Sequence, residues 1–168
     1  MRNIEIHSCQ KCPGAENPNW GIEGEKSVKT IMVVLECSDY RALRTNYLEE
    51  LFKSRTGITL RAVIGERFDQ VIITNAAKCM FDGGTRKPSA GEFACCVANV
   101  KEQISLIQPK LVLCLGEKAT EAVTGVKFSE ALGKVFGNVV VAHHPRVMTI
   151  EEKKMIREIV ELTIPQTA

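Results

Sequence analysis

The hydrophobic positions of this chain form short runs separated by amphipathic segments. Four runs are apolar at successive positions and rich in β-branched residues, without the alternation of a half-exposed strand. Such runs are typical of parallel strands that are buried on both faces. The predicted strands cover residues 30–36, 70–75, 111–115 and 139–142.

Helical periodicity separates these strands. The predicted helices cover residues 39–55, 89–107, 118–123 and 149–162. Gly57 is expected to close the first helix and Pro109 to stop the second. Thr149 and Glu152 resemble a capping box at the start of the last one. Residues 58–68 are ambiguous between a short strand and an extended loop.

Buried strands that alternate with helices predict a three-layer α/β/α fold with a four-stranded parallel sheet. A chain of 168 residues is expected to form one domain, residues 1–168. Ligands of such sheets bind beyond the carboxyl ends of the strands. The residues at those ends are Glu36, Asn75, Gly116 and His144.

Composition excludes few functions. A hydrophobic content of 45%, a charged content of 25% and a formal net charge of +2 are ordinary for a globular protein. Residues 1–10 contain no apolar signal-peptide core, and no apolar run approaches the ~20 residues of a membrane span. We therefore expect a cytoplasmic monomer that does not contact membranes.

The seven cysteines change this picture. An odd count without a secretion signal favours metal binding or catalysis over disulfides. Cys37 and Cys114 lie in or beside apolar strands, where free cysteine acts as a small hydrophobe. The remaining candidates are Cys9, Cys12, Cys79, Cys95 and Cys96.

Four of these thiolates, from an N-terminal arm, a loop and a helix, would complete a Cys₄ site. The arm, residues 1–28, is otherwise expected to be irregular, and a metal site would hold it against the domain. Thiolate ligands select zinc or an iron–sulfur cluster, and the residues alone leave both open. Cys95 and Cys96 point ~100° apart on a helix, so only one should be a ligand.

Several motifs in this order resemble the family 4 uracil-DNA glycosylases. They are Cys9-x-x-Cys12, Ile-Thr-Asn-Ala-Ala-Lys-Cys ending at Cys79, Arg-Lys-Pro at 86–88, Gln-Pro-Lys-Leu-Val-Leu-Cys-Leu-Gly-Glu-Lys-Ala at 108–119, and His144-Pro145. The resemblance covers residues 9–146 and is densest between 71 and 125.

The resemblance implies a 4Fe–4S cluster rather than zinc. Its ligands would be Cys9, Cys12, Cys79 and, counting from the flanking motifs, Cys96; Cys95 is the alternative. Excision of uracil needs no electron, so the expected role of the cluster is structural, with DNA-linked redox sensing as the alternative.

The resemblance also implies a base pocket. Asn75 matches the family residue that pairs with uracil O4 and N3–H, although an Asn at this position also suits a loop cap. His144 matches the donor to uracil O2, where negative charge develops as the base departs. His143 is the neighbouring alternative.

The first family motif departs from the pattern. Where the family has Gly-Glu-Ala-Pro-Gly, this chain has Leu35 followed by Glu36, Cys37, Ser38, Asp39 and Tyr40. Glu36 matches the family glutamate. Asp39 is a candidate for activating the hydrolytic water, or a helix cap. Tyr40 or Tyr47 would replace the missing Phe that stacks on uracil, unless both belong to the helix core.

The expected partner is DNA that contains uracil or a related base. Phosphate contacts are expected from Arg86, Lys87 and Arg146, although Arg86 and Lys87 could instead only shield the cluster. The leading hypothesis is hydrolysis of the N-glycosidic bond of such a base. The alternatives are an inactive iron–sulfur relative that binds DNA or protein, suggested by the altered first motif, and a zinc-stabilised module of unrelated function.

Overall fold

The structure is a computed structural model that describes residues 2–5, 9, 12, 15–16, 19–23, 28–37 and 51–165. Asp39, Tyr40, Tyr47 and Ser38 lie outside these residues, as does most of the helix predicted over 39–55. The roles assigned to Asp39 and Tyr40 therefore stay predictions.

A seven-stranded sheet forms the centre of the protein. Its strands are β1 (Arg2–Glu5), β3 (Asn19–Glu23), β4 (Ile31–Cys37), β5 (Val71–Ala77), β7 (Leu111–Leu115), β8 (Val135–Phe136) and β9 (Val139–Ala142). They lie in the order β1-β3-β5-β4-β7-β9-β8. The four central strands, β5-β4-β7-β9, pair in parallel. They are the four predicted strands, so the predicted α/β fold with its four-stranded parallel core is confirmed.

The edges of the sheet were not predicted. β1 and β3 add antiparallel strands beyond β5, and β8 pairs antiparallel with β9. A second, two-stranded sheet pairs β2 (Ala15–Glu16) with β6 (Met80–Phe81). The expectation of an irregular N-terminal arm was therefore wrong for residues 2–5, 15–16 and 19–23. Main-chain pairing of β1 with β3, of β3 with β5 and of β2 with β6 gives these segments a regular structure that their own side-chain pattern does not reveal.

Three of the five helices in the described part of the chain, those after residue 89 with the exception of a short one at 128–131, lie where helices were predicted. The five are α1 (Arg55–Ile64), α2 (Ala90–Ile107), α3 (Glu117–Thr124), α4 (Phe128–Ala131) and α5 (Ile150–Thr163), with 3₁₀ helices at Gly65–Gln70 and Asp82–Gly84. A complete capping box begins α5, between Thr149 and Glu152, as predicted. Another begins α2, between Ser89 and Glu92.

The segment after residue 54 corrects two expectations. Gly57 does not close a helix but lies in the first turn of α1, and residues 58–64 continue that helix. The boundary is Ser54, whose side chain accepts a hydrogen bond from the Gly57 N–H. Gly57 is glycine because a Cβ there would lie 2.0 Å from the carbonyl oxygen of Leu51. A small residue needed for close packing was thus misread as a helix stop.

Helices cover both faces of the sheet. Leu60 of α1 and Ile156 of α5 pack with Ile73 and Leu113 on one face. Val100 of α2 packs with Ile72 and other side chains of the opposite face. The carboxyl ends of the parallel strands therefore lie along one edge of the sheet, between the two helical layers. Within the described part of the chain, no helix has the length and apolar character to cross a membrane.

Candidate active site and cysteine cluster

The carboxyl ends of β5, β7 and β9 bring Asn75, Gly116 and His144 to one edge of the sheet. Asn75 is 3% exposed and pairs in register with Leu35 of β4. Gly116 has a φ of +109°, and a Cβ there would lie 3.7 Å from the Cβ of His144. The positive φ is what requires glycine here, since a Cβ at 3.7 Å would make only an ordinary contact with His144.

Asn75 and its neighbour Thr74 point to opposite faces of the sheet. Val71 and Ile73 belong to the core beneath α1 and α5, and alternation along β5 places Asn75 on the same face. Thr74 donates a hydrogen bond to Gln103 Oε1 of α2 on the other face, at 3.0 Å. By the same alternation, Glu36 lies on the face opposite to Leu35. Its catalytic role stays a prediction.

His144 is held as a neutral imidazole. Its Nδ1 accepts a hydrogen bond from the main-chain N–H of Arg146 at 3.3 Å. Burial lowers the pKa of His144, and the positive charges of Arg146 and Lys87 lower it further. Since Nδ1 acts as the acceptor, the proton of the neutral ring lies on Nε2. That N–H is the donor that His144 can offer to a ligand.

His143 has a different set of contacts. Its Nδ1 lies 2.9 Å from Glu152 Oε1, which also accepts the His143 main-chain N–H at 2.9 Å. Its ring packs edge-on against Phe128, with the centroids 5.4 Å apart. His143 therefore joins the end of β9 to α5 and α4. The two adjacent histidines therefore have separate partners, and the choice of His144 from the His-Pro dipeptide stays a prediction.

The three predicted phosphate contacts differ in their surroundings. Arg86 is exposed, yet its guanidinium binds both Glu92 oxygens at 2.9 Å and Asp82 at 3.1 Å. It also stacks on Phe81, 4.7 Å from the ring centroid. Lys87 and Arg146 act electrostatically on His144 and are exposed. Arg86 is thus occupied within the chain, whereas Lys87 and Arg146 lie beside the candidate base site.

The cysteines of the predicted cluster come together at one place. All seven cysteines are free thiols; Cys12, Cys79 and Cys96 are buried and Cys9 is half-buried. Burial raises the pKa of the Cys79 thiol to about 12, with further contributions from Cys96, Cys9 and Cys12. The four sulfurs therefore lie within electrostatic range of one another, although they come from three separate parts of the chain.

Polar groups point at two of these sulfurs. The main-chain N–H of Lys78 donates to Cys96 Sγ at 3.5 Å, and the Asn99 side-chain amide donates to Cys9 Sγ at 3.8 Å. Cys95 is exposed and interacts with the thiol of Cys12, whose pKa rises to about 11, mainly through burial. Cys96 is thus the buried member of the adjacent pair and the one that accepts a main-chain N–H, whereas Cys95 is exposed.

The donor set suits a soft metal cluster. Within the described residues, no three His, Cys, Asp or Glu side chains are arranged to hold a metal ion. In a 4Fe–4S cluster each thiolate binds a separate iron, so its four sulfurs are spread more widely than those around a single zinc ion. Four converging thiols with N–H donors fit such a cluster in chemistry.

A buried polar network that was not predicted lies beside these cysteines. Lys78 is 0% exposed. Its Nζ donates to Gln103 Oε1 at 2.7 Å and to Thr74 Oγ1. Burial lowers the pKa of Lys78 to about 7, and the charge of Cys96 acts in the opposite direction. The sequence feature that could have revealed this network is the position of Lys78, a charged residue between the buried strand and Cys79.

Comparisons with known proteins agree with this architecture. Residues 40–162 match the family model described as the uracil DNA glycosylase superfamily. The chain is also 31% identical over 156 residues to a type-4 uracil-DNA glycosylase of Sulfurisphaera tokodaii. That alignment covers 90% of this chain and 68% of the relative.

Proposed function

The chain belongs to the uracil-DNA glycosylase superfamily, and we propose that it hydrolyses the N-glycosidic bond of uracil or a related deaminated base in DNA. The observation that carries this proposal is that a buried amide and a neutral histidine lie at the same edge of the sheet. Asn75 lies near the carboxyl end of β5, two residues before Ala77, and His144 follows β9.

The spacing of these residues suits a flipped base. Two strands, β4 and β7, lie between β5 and β9. At about 4.8 Å per strand the two backbones are roughly 14 Å apart, which leaves room for a planar base between two side chains. An enzyme that acts on a base must take it out of the duplex stack and read its Watson–Crick edge. The Asn75 amide supplies one donor and one acceptor for uracil O4 and N3–H.

His144 acts on the leaving group. As the bond between C1′ and N1 breaks, its electron pair leaves with the uracil ring and charge collects on O2. The Nε2–H of neutral His144 donates to that oxygen and stabilises the anion by preorganised electrostatics. Water adds to C1′ and leaves an abasic sugar. The proton that this water loses goes to a carboxylate, for which Glu36 and Asp39 are the candidates.

The proposed cofactor is a 4Fe–4S cluster on Cys9, Cys12, Cys79 and Cys96. When bound, it would supply a rigid cross-link rather than reaction chemistry. Cys9 and Cys12 lie near β2, Cys79 precedes β6 and Cys96 lies on α2. The cluster would thereby hold the N-terminal segment and the loop before α2 against the end of β5, which carries Asn75.

One observation favours an inactive relative as the second candidate. β4 continues as a regular strand through Cys37, and Leu35 is buried in the core. The family has glycines around this position, where the backbone approaches the ligand closely. A chain that lacks this approach can still bind DNA while activating water poorly.

The deciding experiment is incubation with single-stranded oligonucleotide that contains one uracil, followed by alkaline scoring of abasic sites. The same oligonucleotide with thymine is the substrate control. We expect cleavage at uracil and a loss of about 100-fold or more in Asn75→Asp, because the pocket then leaves polar groups of the base unpaired. Binding of the uracil oligonucleotide without any excision would support the inactive relative instead.

A further inference from the structure

The lysine between β5 and Cys79 has no role in the reaction described above. Lys78 is completely buried, and a buried lysine is rare unless its ammonium is paired. Its partners are both neutral, Thr74 on β5 and Gln103 on α2. The structure therefore maintains a polar site for an ammonium group in the layer between the sheet and α2.

The same residue contacts the cysteine cluster through its main chain. The N–H of Lys78 donates to Cys96 Sγ at 3.5 Å, and Lys78 precedes Cys79 directly. Cys96 and Gln103 lie on one helix, seven residues apart, so Lys78 contacts α2 at two points. These contacts fix the end of β5, and with it Cys79, relative to Cys96.

The negative charge of a bound cluster would give the Lys78 ammonium a role. A 4Fe–4S cluster with four thiolate ligands carries net negative charge in its common oxidation states, and placing that charge inside a protein is costly without a counter-charge. The charged groups described around Cys12, Cys79 and Cys96 are Glu92, the other thiols and Lys78. Lys78 is the cation of this set; its main-chain N–H binds Cys96 Sγ, and its Nζ binds Gln103 of the same helix.

We propose that Lys78 is a positioning and charge-balancing residue of the iron–sulfur site. Its main-chain N–H orients Cys96, and its ammonium, held by Thr74 and Gln103, offsets the negative charge of the bound cluster. This inference rests on the proposed cofactor. It adds that a residue outside the ligand set determines how firmly the cluster is held.

The test is the retention of iron in Lys78→Met. Methionine keeps an unbranched side chain of similar length but removes the ammonium, and Thr74 still donates to Gln103 Oε1. Anaerobically purified proteins are mixed with an iron chelator, and iron release is followed by the loss of visible charge-transfer absorbance. Outer-shell changes typically weaken metal binding by 10–100-fold, so we expect iron release to be faster by about that factor. The midpoint potential of the cluster should also become more negative, because a positive charge has been removed.

Lys101→Met is the matched control, since Lys101 is an exposed lysine of α2. It should release iron at the wild-type rate. Gln103→Met removes the acceptor that holds the ammonium and should release iron at an intermediate rate. If Lys78→Met fails to fold by circular dichroism, a wild-type release rate in Gln103→Met overturns the inference.

The outcomes separate this inference from the proposed function. Wild-type protein that contains no iron or acid-labile sulfide overturns the cluster assignment, and the inference with it. Wild-type protein with a cluster, together with a folded Lys78→Met that releases iron no faster and has the same midpoint potential, overturns the role of Lys78 alone. Uracil excision is scored separately and decides neither outcome.

Discussion

The main-chain N–H of Arg146 donates a hydrogen bond to Nδ1 of His144 at 3.3 Å. This contact assigns the tautomer of the imidazole without any ligand, because an acceptor nitrogen carries no proton. Burial keeps the ring neutral, and the nearby positive charges act in the same direction. His144 is thereby prepared to donate from Nε2 before a base arrives.

His144→Ala should slow single-turnover excision by about two to three orders of magnitude. Loss of one donor at a developing oxyanion costs ~2.7–4 kcal/mol. Affinity for DNA should change little, since the donor acts mainly when charge develops. The measurement is rapid-quench excision at saturating enzyme. His143→Ala is the paired variant and should lower thermal stability more than the rate, because His143 contacts Glu152 and Phe128. Equal rates for wild type and His144→Ala would place the oxyanion donor elsewhere.

The rate of excision should decrease at acid pH and stay unchanged near neutral pH. The pKa of His144 in the folded protein lies below its ordinary value of 6.5, so the neutral, active form predominates at pH 7. As pH falls below that lowered pKa, Nδ1 gains a proton and can no longer accept the Arg146 N–H. Arg146→Gln removes a nearby positive charge and should move the acid limb of the pH–rate profile to higher pH. An acid limb that stays in place would mean that another group titrates there.

Cys96→Ala should lose the cluster, whereas Cys95→Ala should keep it. Cys96 is buried and accepts the Lys78 N–H, while Cys95 is exposed. Iron and acid-labile sulfide per chain, with visible absorbance, measure the difference. The opposite result would move the fourth ligand to Cys95, which already interacts with Cys12. One equivalent of zinc in colourless protein would refute an iron cluster.

Lys87→Ala and Arg146→Ala should each weaken DNA binding and reduce its salt dependence. Each lost phosphate contact lowers the slope of log K against log salt by roughly 0.9 for duplex DNA. Fluorescence anisotropy between about 50 and 200 mM salt covers the sensitive range. Arg86→Ala should change the slope less, since its guanidinium already pairs with Glu92 and Asp82. The largest change in slope from Arg86→Ala would show that these ion pairs open to bind phosphate.

The sequence alone determined the four central strands of this protein and its last helix. The four parallel strands follow from apolar runs without alternation, and residues 111–115 and 139–142 matched their strands at both ends. α5 followed from Thr149 and Glu152, which form the predicted cap. These signals are local, because burial on both faces and the first turn of a helix constrain neighbouring residues directly. The five candidate cysteines were likewise selected from their immediate sequence neighbours, since the other two lie in or beside apolar strands.

Only the tertiary structure decided which polar groups meet. Lys78 and Gln103 are 25 positions apart, and no periodicity predicts that the ammonium of one is buried against the amide of the other. Two adjacent histidines have different hydrogen-bond partners, because Glu152 of α5 contacts His143 and the Arg146 N–H donates to His144. Gly57 was misread for the same reason, since its close neighbour is Leu51 of the preceding segment. Hydrogen bonds and close packing depend on where elements dock, and a pattern of hydrophobic positions specifies which face docks but not which side chains pair there.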